Sequence, residues 1–425
     1  MTGPRQIAAL AVKKVTDDGG YSNLVLNSLL DESKLSGEDK ALATAIFYGT
    51  LDRMVTIDFF LKKLIKTPLK KLKPYTLAVL RTAVYQIKYL SRIPDSAAVN
   101  EAVKLIKKSK EGFNVSFVNA VLRNLIREDI PLPTGNSAYD ISIAYSCPQW
   151  IVSVLIRDYG IQFTKAFLEN ALLTPPVYFR VNTLKTTADT LKTELEAKGV
   201  KVVACEEKTA LEADTPGSVE NMPAYKEGLF FVQDISCQKA VASLDIKTDS
   251  RVLDLCAAPG GKSFSAAMYA TEGEIVSCDL YEHRVGLIAE GAHRLGIKNL
   301  SARAADATVY DGSLGLFDRI ICDVPCSGLG VIRRKPDIKY KPRDTFEELC
   351  EIQKGILNNA DKYLKEGGKI LYSTCTLNKA ENRGIIDSFL ENHSEYILEN
   401  DYTFCPQEDN SDGFYAAVLS KCQPR

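Results

Sequence analysis

Two cysteines follow predicted buried strands, Cys326 in the stretch DVPCSGLG and Cys375 in the stretch KILYSTCTLNKAEN. A thiol with a pKa of about 8.5 is a few per cent thiolate at neutral pH and can then attack an electrophilic carbon. An unpaired cysteine can equally be a small buried apolar residue. No histidine lies near either cysteine in the sequence, which disfavours a Cys–His hydrolase. The surroundings of the two thiols must therefore decide between nucleophile and core residue.

A turn of small residues precedes both cysteines. The stretch LDLCAAPGGKS (253–263) predicts a strand, a tight turn and a helix start, where backbone N–H groups can face a ligand. A phosphate-binding P-loop needs glycine five residues before Gly-Lys-Ser, and Cys256 stands there. The dinucleotide fingerprint GxGxxG is absent as well. These absences disfavour nucleotides that are bound through a pyrophosphate.

Three aspartates end successive predicted strands after this turn. Asp279 is positioned to accept ribose hydroxyls, Asp306 to face an adenine edge, and Asp323 to lie at the switch point of an open sheet. A single aspartate at a strand end is often only a helix cap, but three in succession favour a nucleoside site. A nucleoside bound without a pyrophosphate fits S-adenosylmethionine.

The predicted cofactor-binding residues come from this turn and these strand ends. Cys256 is expected to contribute its backbone at most, Lys262 to neutralise the methionine carboxylate, and Arg284 to pair with Asp279. After Cys375, Glu381 and Asn382 are predicted to cap the next helix. The full predicted cofactor set is Cys256, Ala257, Ala258, Pro259, Gly260, Gly261, Lys262, Asp279, Asp306 and Asp323.

From about residue 247, short apolar runs alternate with helical segments. Such alternation predicts a doubly wound, mostly parallel α/β sheet. The tail DGFYAAVLSK (412–421) predicts a further strand, antiparallel and at the sheet edge. The alternating runs are VLDLCA (252–257), EIVSCDL (274–280), RIICDVP (319–325) and KILYST (369–374).

The first 130 residues predict an all-helical domain. Apolar residues recur every three or four positions in LAVLRTAVYQIKYL (77–90), and residues 97–108 and 116–128 repeat the pattern. The stretch PLPTGNSAYD is rich in Pro, Gly and polar residues and predicts a linker. The predicted domains are 1–130, helical; 131–145, linker; 146–235, small α+β, with strands at 178–184 and 228–236 and a helix at 191–199; and 236–425, α/β.

Composition limits the class of protein. With 425 residues, 45% hydrophobic and 25% charged, the chain is expected to be soluble and multidomain. No apolar run approaches the ~18 residues of a membrane span, and the N-terminus lacks a secretory apolar core, so we expect a cytoplasmic protein without a membrane partner. The 11 cysteines contain no CxxC pair and the three histidines form no ligand pair, so we expect no metal site. We also expect a monomer.

Charge is distributed unevenly along the chain. Residues 1–130 carry 21 Lys and Arg against 13 Asp and Glu, whereas the whole chain has a net charge of −1. A basic N-terminal third joined to an acidic remainder favours a module that binds a polyanion. An ordinary solvated set of helical lysines would give the same counts, so charge alone leaves both interpretations open.

Four stretches together resemble the RsmB/Sun (Fmu) family of 16S rRNA (cytosine-5) methyltransferases. They are CAAPGGK (256–262), DVPCSGLG (323–330), YSTCT (372–376) and DGFYAAVL (412–419). The helical stretches YQIKYLSRIP (85–94) and FVNAVLRNL (117–125) are similar to the NusB-like RNA-binding domain of that family. The chain varies slightly from the family motifs at two places: Ser-Gly-Leu-Gly follows Cys326, and Thr376 stands where serine is frequent. The resemblance covers nearly the whole chain.

The resemblance implies both a fold and a reaction. The implied fold is a NusB-like helical domain, a small α+β RNA-facing domain, and a Rossmann-like class I methyltransferase with a mostly parallel seven-stranded sheet and one antiparallel edge strand. Cys375 would add to carbon 6 of cytosine, which makes carbon 5 nucleophilic enough to take the methyl of S-adenosylmethionine. Cys326 would assist product release, and Asp323 would hold the base.

The implied partner is ribosomal RNA, at a cytosine in a single-stranded loop where the base can leave its stack. The stretch VIRRKPDIKYKPR (331–343) carries six Lys and Arg, and Arg333, Arg334 and Lys335 are predicted to contact phosphates. A solvated basic loop is the simpler interpretation. Two other functions stay open: an RNA-binding assembly factor with little activity, and a DNA cytosine methyltransferase, whose nucleophile would stand in a Pro-Cys motif.

Overall fold

The structure, a computed structural model, describes residues 3–214, 218–341 and 345–422. It divides into two compact units. The helical unit consists of Met1–Leu173 and Ile332–Pro342, and the sheet unit consists of Thr174–Val331 and Arg343–Arg425. The chain therefore leaves the sheet unit after Val331, contributes a short segment to the helical unit, and returns.

The helical unit contains the helices that the apolar periodicity predicts. Helices α4, α5 and α6 cover the three predicted segments, which confirms them. Its core has one cluster around Phe60, Leu80 and Leu122 and a second around Ile46 and Phe47. The helices are α1 Pro4–Asp18, α2 Ser22–Asp31, α3 Gly37–Leu64, α4 Pro74–Tyr89, α5 Asp95–Lys107, α6 Val115–Arg127, α7 Ala138–Ala144 and α8 Gln149–Asn170, with 3-10 turns at Leu69–Lys71, Gly112–Asn114 and, in the returning segment, Pro336–Tyr340.

The predicted linker, residues 131–145, is only partly irregular. Ser137 and Asp140 form a capping box that starts α7, and the Thr56 hydroxyl donates to the carbonyl of Ile143 over 2.6 Å. Helix α8, which fell within the predicted α+β region, also lies in the helical unit. The Pro- and Gly-rich composition marks only residues 131–136, so the compact helical unit extends well beyond residue 130.

Residues 332–341, here called the strap, pack within the helical unit. Lys339 is 4% exposed, and its ammonium donates to the carbonyls of Asp52, over 2.9 Å, and Ser146, over 3.2 Å. The hydroxyl of Tyr340 donates to the carbonyl of Leu51 over 2.6 Å. These contacts make part of the predicted basic loop an integral element of the helical core.

Lys339→Ala tests the strap. The variant leaves two buried carbonyls without their donor, so we expect the free energy of unfolding to fall by about 2–3 kcal/mol in urea denaturation. Lys341→Ala is the matched control, because Lys341 is exposed two residues further on, and its effect should stay below about 0.5 kcal/mol. Equal effects of the two variants would contradict a buried anchoring role for Lys339.

The small sheet of the sheet unit has four antiparallel strands in the order β2-β3-β1-β4. The Phe179 and Phe230 rings stack in its core with centroids 4.0 Å apart. The predicted strands β1 and β4 and the predicted helix α9 are present, whereas β2 and β3 were not predicted because they are short and partly exposed. The elements are β1 Val177–Val181, α9 Ala188–Ala197, β2 Lys201–Ala204, β3 Ala210–Asp214, a 3-10 turn Val219–Asn221, α10 Pro223–Lys226 and β4 Phe230–Val232.

The large sheet has seven strands in the order β10-β11-β9-β8-β5-β6-β7, which confirms the predicted doubly wound architecture. Strand β11 runs antiparallel to both neighbours, as predicted, but its predicted position at the edge is wrong, because the unpredicted strand β10 pairs with its outer side and occupies the edge. The elements are α11 Ile235–Ala242, β5 Arg251–Asp254, α12 Gly261–Tyr269, β6 Glu274–Asp279, α13 Glu282–Leu295, β7 Leu300–Ala304, β8 Phe317–Asp323, α14 Thr345–Asp361, β9 Leu364–Thr374, α15 Arg383–Asn392, β10 Tyr396–Phe404, α16 Pro406–Asp409 and β11 Phe414–Lys421, with 3-10 turns at Gly312–Leu314 and Leu329–Val331.

The central strands are parallel and buried on both faces, which explains their uniformly apolar sequences. Their carboxyl ends meet at one edge of the sheet. Asp254, Asp279, Asp323 and Thr374 end β5, β6, β8 and β9 at this edge. Within the described ranges, every helix is too short or too polar to cross a bilayer.

Candidate active site

The two predicted cysteines lie together at the carboxyl edge of the large sheet. Strands β8 and β9 are parallel neighbours, with Asp323 in register with Ser373. Cys375 follows β9 directly and Cys326 stands three residues beyond Asp323. As a result, the Sγ atoms of Cys326 and Cys375 are 3.2 Å apart and share a hydrogen bond. The structure therefore joins the two motifs into one thiol pair.

Two glycines allow the cysteine loops to approach each other. The Gly330 N–H donates to the carbonyl of Cys375, and the Gly413 N–H donates to the carbonyl of Gly330, both over 3.0 Å. A Cβ at Gly330 would overlap the Gly413 carbonyl, and a Cβ at Gly413 would overlap the Gly330 backbone. This contact explains the last glycine of DVPCSGLG and the glycine before β11.

Gly330→Ala should disrupt this contact. We expect a loss of about 2–3 kcal/mol in the free energy of unfolding, because the overlapping atoms belong to backbone that cannot rotate away. Gly286→Ala in α13 is the control, since a Cβ there meets nothing within 4 Å and should add roughly 0.5–1 kcal/mol. Thermal or urea denaturation measures both, and an unchanged Gly330→Ala protein would contradict the close approach.

Glu381 links the loop that carries Cys326 to the loop that carries Cys375. Its side chain is fully buried, and its carboxylate accepts from the Ser327 N–H over 2.8 Å, from Gln353 Nε2 over 3.1 Å and from Asn378 Nδ2 over 2.9 Å. The predicted helix-capping role is wrong for Asn382, whose side chain makes no cap bond to α15. Both residues hold the cysteine loops instead, because their polar groups are buried and find partners there.

Asn382 links the end of β9 to the Cys375 loop. Its Oδ1 accepts from the Thr374 hydroxyl over 2.6 Å, and its Nδ2 donates to the carbonyl of Thr376 over 2.9 Å. The Thr376 hydroxyl in turn shares a 2.7 Å hydrogen bond with the hydroxyl of Ser327. Residues on both sides of each cysteine are therefore fixed.

Asp323 forms an ion pair with the buried ammonium of Lys262, while its own side chain is 34% exposed. The Lys262 ammonium lies 2.7 Å from Asp323 Oδ2, and the Ser373 hydroxyl donates to Asp323 Oδ1 over 2.8 Å. Lys262 was expected to face a methionine carboxylate, whereas its partner in the structure is Asp323. Burial alone would lower the pKa of Lys262, but the charges of Asp323 and Cys237 outweigh it and raise that pKa. Lys262 is therefore a cation that helps to fix Asp323 in place.

The glycine turn follows β5 as predicted. The Ala257 N–H donates to the carbonyl of Cys278 over 2.8 Å, and the Gly260 N–H donates to the carbonyl of Ala257 over 2.7 Å. Gly260 has φ +112°, where a side chain would also overlap the ring of Phe264, and Gly261 begins α12. Burial raises the pKa of Cys256 well above its usual value, so this thiol is neutral.

On the other side of the turn, Asp279 ends β6, and Asp306 lies two residues beyond the end of the neighbouring strand β7. Asp279 accepts from the N–H groups of Ala258 and Tyr281, each over 3.3 Å, and lies 3.2 Å from Arg284, which confirms the predicted ion pair. Asp306 is exposed, and hydrogen bonds from the hydroxyl and N–H of Thr308 lower its pKa. Asp279, Asp306 and Asp323 thus follow β6, β7 and β8 at the same edge of the sheet.

Sequence reasoning missed Asp254, which ends β5. Its carboxylate is fully buried and accepts from the Ser263 hydroxyl over 2.7 Å, and Ser277 shares a 2.8 Å hydrogen bond with Ser263. Burial, the largest cause, raises its pKa from 3.8 to about 7. The signal that could have identified Asp254 is that it is the one acidic residue inside the otherwise apolar run VLDLCA.

The pKa of Asp254 predicts a pH-dependent contribution to stability. The pKa of Asp254 is higher in the folded than in the unfolded chain, so the folded state holds the proton more strongly. The resulting contribution to the free energy of unfolding is complete below pH 4 and is lost as the pH rises to about 7. Asp254→Asn cannot ionise. Between pH 5 and pH 8 it should therefore lose roughly 2 kcal/mol less of its free energy of unfolding than the natural chain.

Urea denaturation at both pH values measures this difference. Asp249→Asn is the control, because Asp249 is exposed just before β5 and its substitution should leave the pH profile unchanged. The same profile in the natural chain and in Asp254→Asn would show that Asp254 does not take up the proton on folding.

The three basic residues predicted to bind RNA lie in the strap of the helical unit. Arg333 Nη1 donates to Asn170 Oδ1 over 2.9 Å and its Nε donates to the carbonyl of Leu173 over 3.2 Å. Arg334 is half-buried, whereas Lys335 is exposed. Arg343, the last basic residue of the run, lies outside the described residues. The run is therefore an anchored segment with an exposed lysine, and a freely solvated loop is the wrong description.

Three protein-family models match the chain. A model described as 16S rRNA methyltransferase RsmB/F matches residues 241–420, a NusB family model matches residues 2–127, and a ferredoxin-like domain model of RsmF/B-like methyltransferases matches residues 147–220. The matched segments follow one another along almost the whole sequence.

Curated relatives and a solved structure agree with these matches. The chain is 37% identical over 405 residues to a probable ribosomal RNA small subunit methyltransferase B of Bacillus subtilis, covering 93% of this chain and 90% of that protein. It is 32% identical to ribosomal RNA small subunit methyltransferase B of Escherichia coli O17:K52:H18, covering 98% of each. The crystal structure of the protein PH0851 superimposes with a TM-score of 0.84 at 26% identity, covering 98% of this chain and 99% of that chain.

Proposed function

The chain belongs to the RsmB/F family of 16S rRNA methyltransferases, and from this premise we propose that it methylates carbon 5 of a cytosine in 16S ribosomal RNA. The observation that carries the proposal is the pair of thiols, Cys326 and Cys375, with Sγ atoms 3.2 Å apart at the edge of the sheet that also presents Asp323. Carbon 5 of cytosine needs a nucleophile at carbon 6 before it can accept a methyl group. A thiol pair beside a base-positioning carboxylate supplies such a nucleophile.

In the proposed reaction, the Cys375 thiolate forms a bond to carbon 6 of the cytosine. Carbon 5 then takes the methyl group with the electron pair of the former double bond between carbons 5 and 6. The carbon 5 proton passes to a solvent base, its electron pair re-forms that double bond, and the bond between Cys375 and carbon 6 breaks, so that Cys375 leaves as a thiolate. Cys326, next to the departing sulfur, assists this release. Asp323 holds the nitrogen 3 and amino edge of the base, and the ion pair with the buried ammonium of Lys262 fixes its carboxylate in one orientation.

S-adenosylmethionine supplies the methyl group in this proposal, as a sulfonium electrophile. The turn from Ala257 to Gly261 would receive it, because residues with little or no side chain leave the backbone open at the start of α12. Asp279 and Asp306 would accept hydrogen bonds from the ribose and adenine. Asp279 already accepts three contacts, which leaves a carboxylate about one further acceptor position, and Asp306 is exposed. This donor and acceptor set fits a nucleoside without phosphates.

The RNA partner is proposed to contact basic groups of the helical unit. Lys335 is exposed on the strap, beside Arg334 and the anchored Arg333. A cavity of about 450 Å³ in the same unit is lined by four lysines on α1 and after α5, together with Tyr75 and the acidic residues Asp18 and Glu111. Clustered ammonium groups attract phosphates and make binding salt-dependent. The lysines at the cavity are Lys13, Lys14, Lys108 and Lys110.

Serine substitution of each cysteine tests the chemistry. Cys375→Ser should reduce transfer of labelled methyl to small-subunit RNA by more than about 1000-fold, because a hydroxyl cannot replace the thiolate. Cys326→Ser should instead accumulate a covalent protein–RNA adduct that survives a denaturing gel, because addition proceeds and release does not.

Two other outcomes of these experiments would contradict the proposal, each in a different way. If Cys326→Ser abolished adduct formation while Cys375→Ser trapped the adduct, the two roles would be reversed. If the natural chain bound small-subunit RNA and transferred no methyl group, the protein would be an RNA-binding assembly factor.

A further inference from the structure

Two neighbouring thiols that share a hydrogen bond raise the question of which one keeps its proton. The Sγ atoms of Cys326 and Cys375 are 3.2 Å apart, and either can be the donor. When one proton leaves such a pair, the remaining proton bridges both sulfurs, and nearby charge decides where it resides. A fixed charge placed closer to one sulfur therefore selects the other as the thiolate.

Glu381 supplies a fixed charge of this kind. Its fully buried carboxylate accepts directly from the N–H of Ser327, the residue after Cys326, over 2.8 Å. Thr376, the residue after Cys375, is reached only one step further on, through the 2.7 Å hydrogen bond between its hydroxyl and that of Ser327. The other Glu381 oxygen accepts from Asn378 Nδ2 of the Cys375 loop over 2.9 Å, but only on the Cys326 side does the carboxylate bond directly to the backbone of the residue next to the cysteine.

The other groups around Cys326 leave this asymmetry in place. Asp323, at the end of β8, is neutralised by Lys262 at 2.7 Å. Tyr372 of β9 donates its hydroxyl to the backbone carbonyl of Glu381 over 2.7 Å, and burial raises the pKa of Tyr372, so it is neutral. From α14, Gln353 faces the loop with a neutral amide that donates to the carbonyl of Pro325 over 2.9 Å.

The pKa of the Cys326 thiol is raised, in the direction that this asymmetry predicts. The hydrogen bond to Cys375 and burial are the largest causes that raise its pKa well above the usual value, and the charges of Cys375 and Glu381 act in the same direction. A backbone hydrogen bond from Gly328 lowers the pKa, but the raising causes outweigh it. A second negative charge beside a buried carboxylate is strongly disfavoured.

We propose that Glu381 is a positioning residue that keeps the shared proton on Cys326, so that Cys375 carries the thiolate. The assignment of chemical roles to the two sulfurs rests on the proposed function, whereas the location of the proton does not. Glu381 touches neither base nor methyl donor in this scheme. It acts by charge and by fixing the N–H of Ser327.

The test is the pH profile of alkylation of each cysteine in the full-length protein without RNA. Iodoacetamide at single-hit levels, followed by peptide mass spectrometry, gives the rate at Cys326 and at Cys375. In the natural chain Cys375 should react at lower pH than Cys326. In Glu381→Gln the ratio of the two rates at pH 7.5 should fall by more than about tenfold, equivalent to one pKa unit.

Two variants control for structure and for charge elsewhere. Glu381→Asp keeps the carboxylate and should retain most of the preference for Cys375, whereas a purely structural role would be lost equally in both substitutions. Glu395→Gln removes an exposed carboxylate of the same unit and should leave both profiles unchanged.

Either of two results overturns the proposal. One is a natural chain in which Cys326 reacts at the lower pH, a result that does not depend on whether Glu381→Gln folds. The other is a folded Glu381→Gln that keeps the full preference for Cys375. Since no RNA or methyl donor is present, failure here is separate from failure of methyl transfer: a chain can show the predicted thiol preference and still be inactive, which would overturn only the proposed function.

Discussion

Gly330 and Gly413 bring two backbone segments closer than any side chain would permit, and the thiol pair depends on this approach. The approach is possible because β11 enters the sheet antiparallel, with Tyr415 in register with Thr374 at the end of β9. The start of β11 therefore lies at the carboxyl edge, where the parallel strands end. Phe414 follows at once, and its ring lies 5.0 Å from the ammonium of Lys262. The antiparallel strand thus forms part of the wall of the site as well as completing the sheet.

Buried charge is concentrated at this edge. Asp254, Glu381 and Lys262 are taken out of water, where each would be costly without partners, and Asp323, which is 34% exposed, pairs with Lys262. The structure provides those partners from different strands and loops: Ser263 for Asp254, and Ser327 with Gln353 and Asn378 for Glu381. Such groups contribute little net stability compared with apolar residues of the same size, but they hold each loop in one position. Rigid placement of reactive side chains is what catalysis requires of a scaffold.

Local sequence patterns were sufficient for helices α4, α5 and α6 and for the parallel strands at the centre of the large sheet. Apolar runs that alternate with helices predicted β5, β6, β8 and β9, and hence the edge to which Cys326 and Cys375 belong. Local patterns could not predict which residues, far apart in the sequence, are in contact in the fold. The bond from Ser327 to Glu381 spans 54 positions, and the buried ammonium of Lys339 meets Asp52, 287 positions away. Nothing in a short window distinguishes a lysine that points into solvent from one that reaches two carbonyls in a folded core. The short strands β2 and β3 were missed because neither gives a clear apolar signal: three of the four residues of β2 are exposed, and β3 is a five-residue mixture of Ala, Leu, Glu and Asp.

The path of the chain through the strap has a consequence for how the protein can be divided. The helical unit is completed by residues that lie between the two cysteine motifs in the sequence, only six positions after Cys326. Cutting the chain at residue 173 would leave Lys339 and Tyr340 without the carbonyls that receive their hydrogen bonds. The helical part is therefore no detachable N-terminal module, although it occupies the N-terminus. Gain, loss or exchange of that module in the course of evolution would need matching changes at a second place in the gene, inside the segment that encodes the two cysteine motifs.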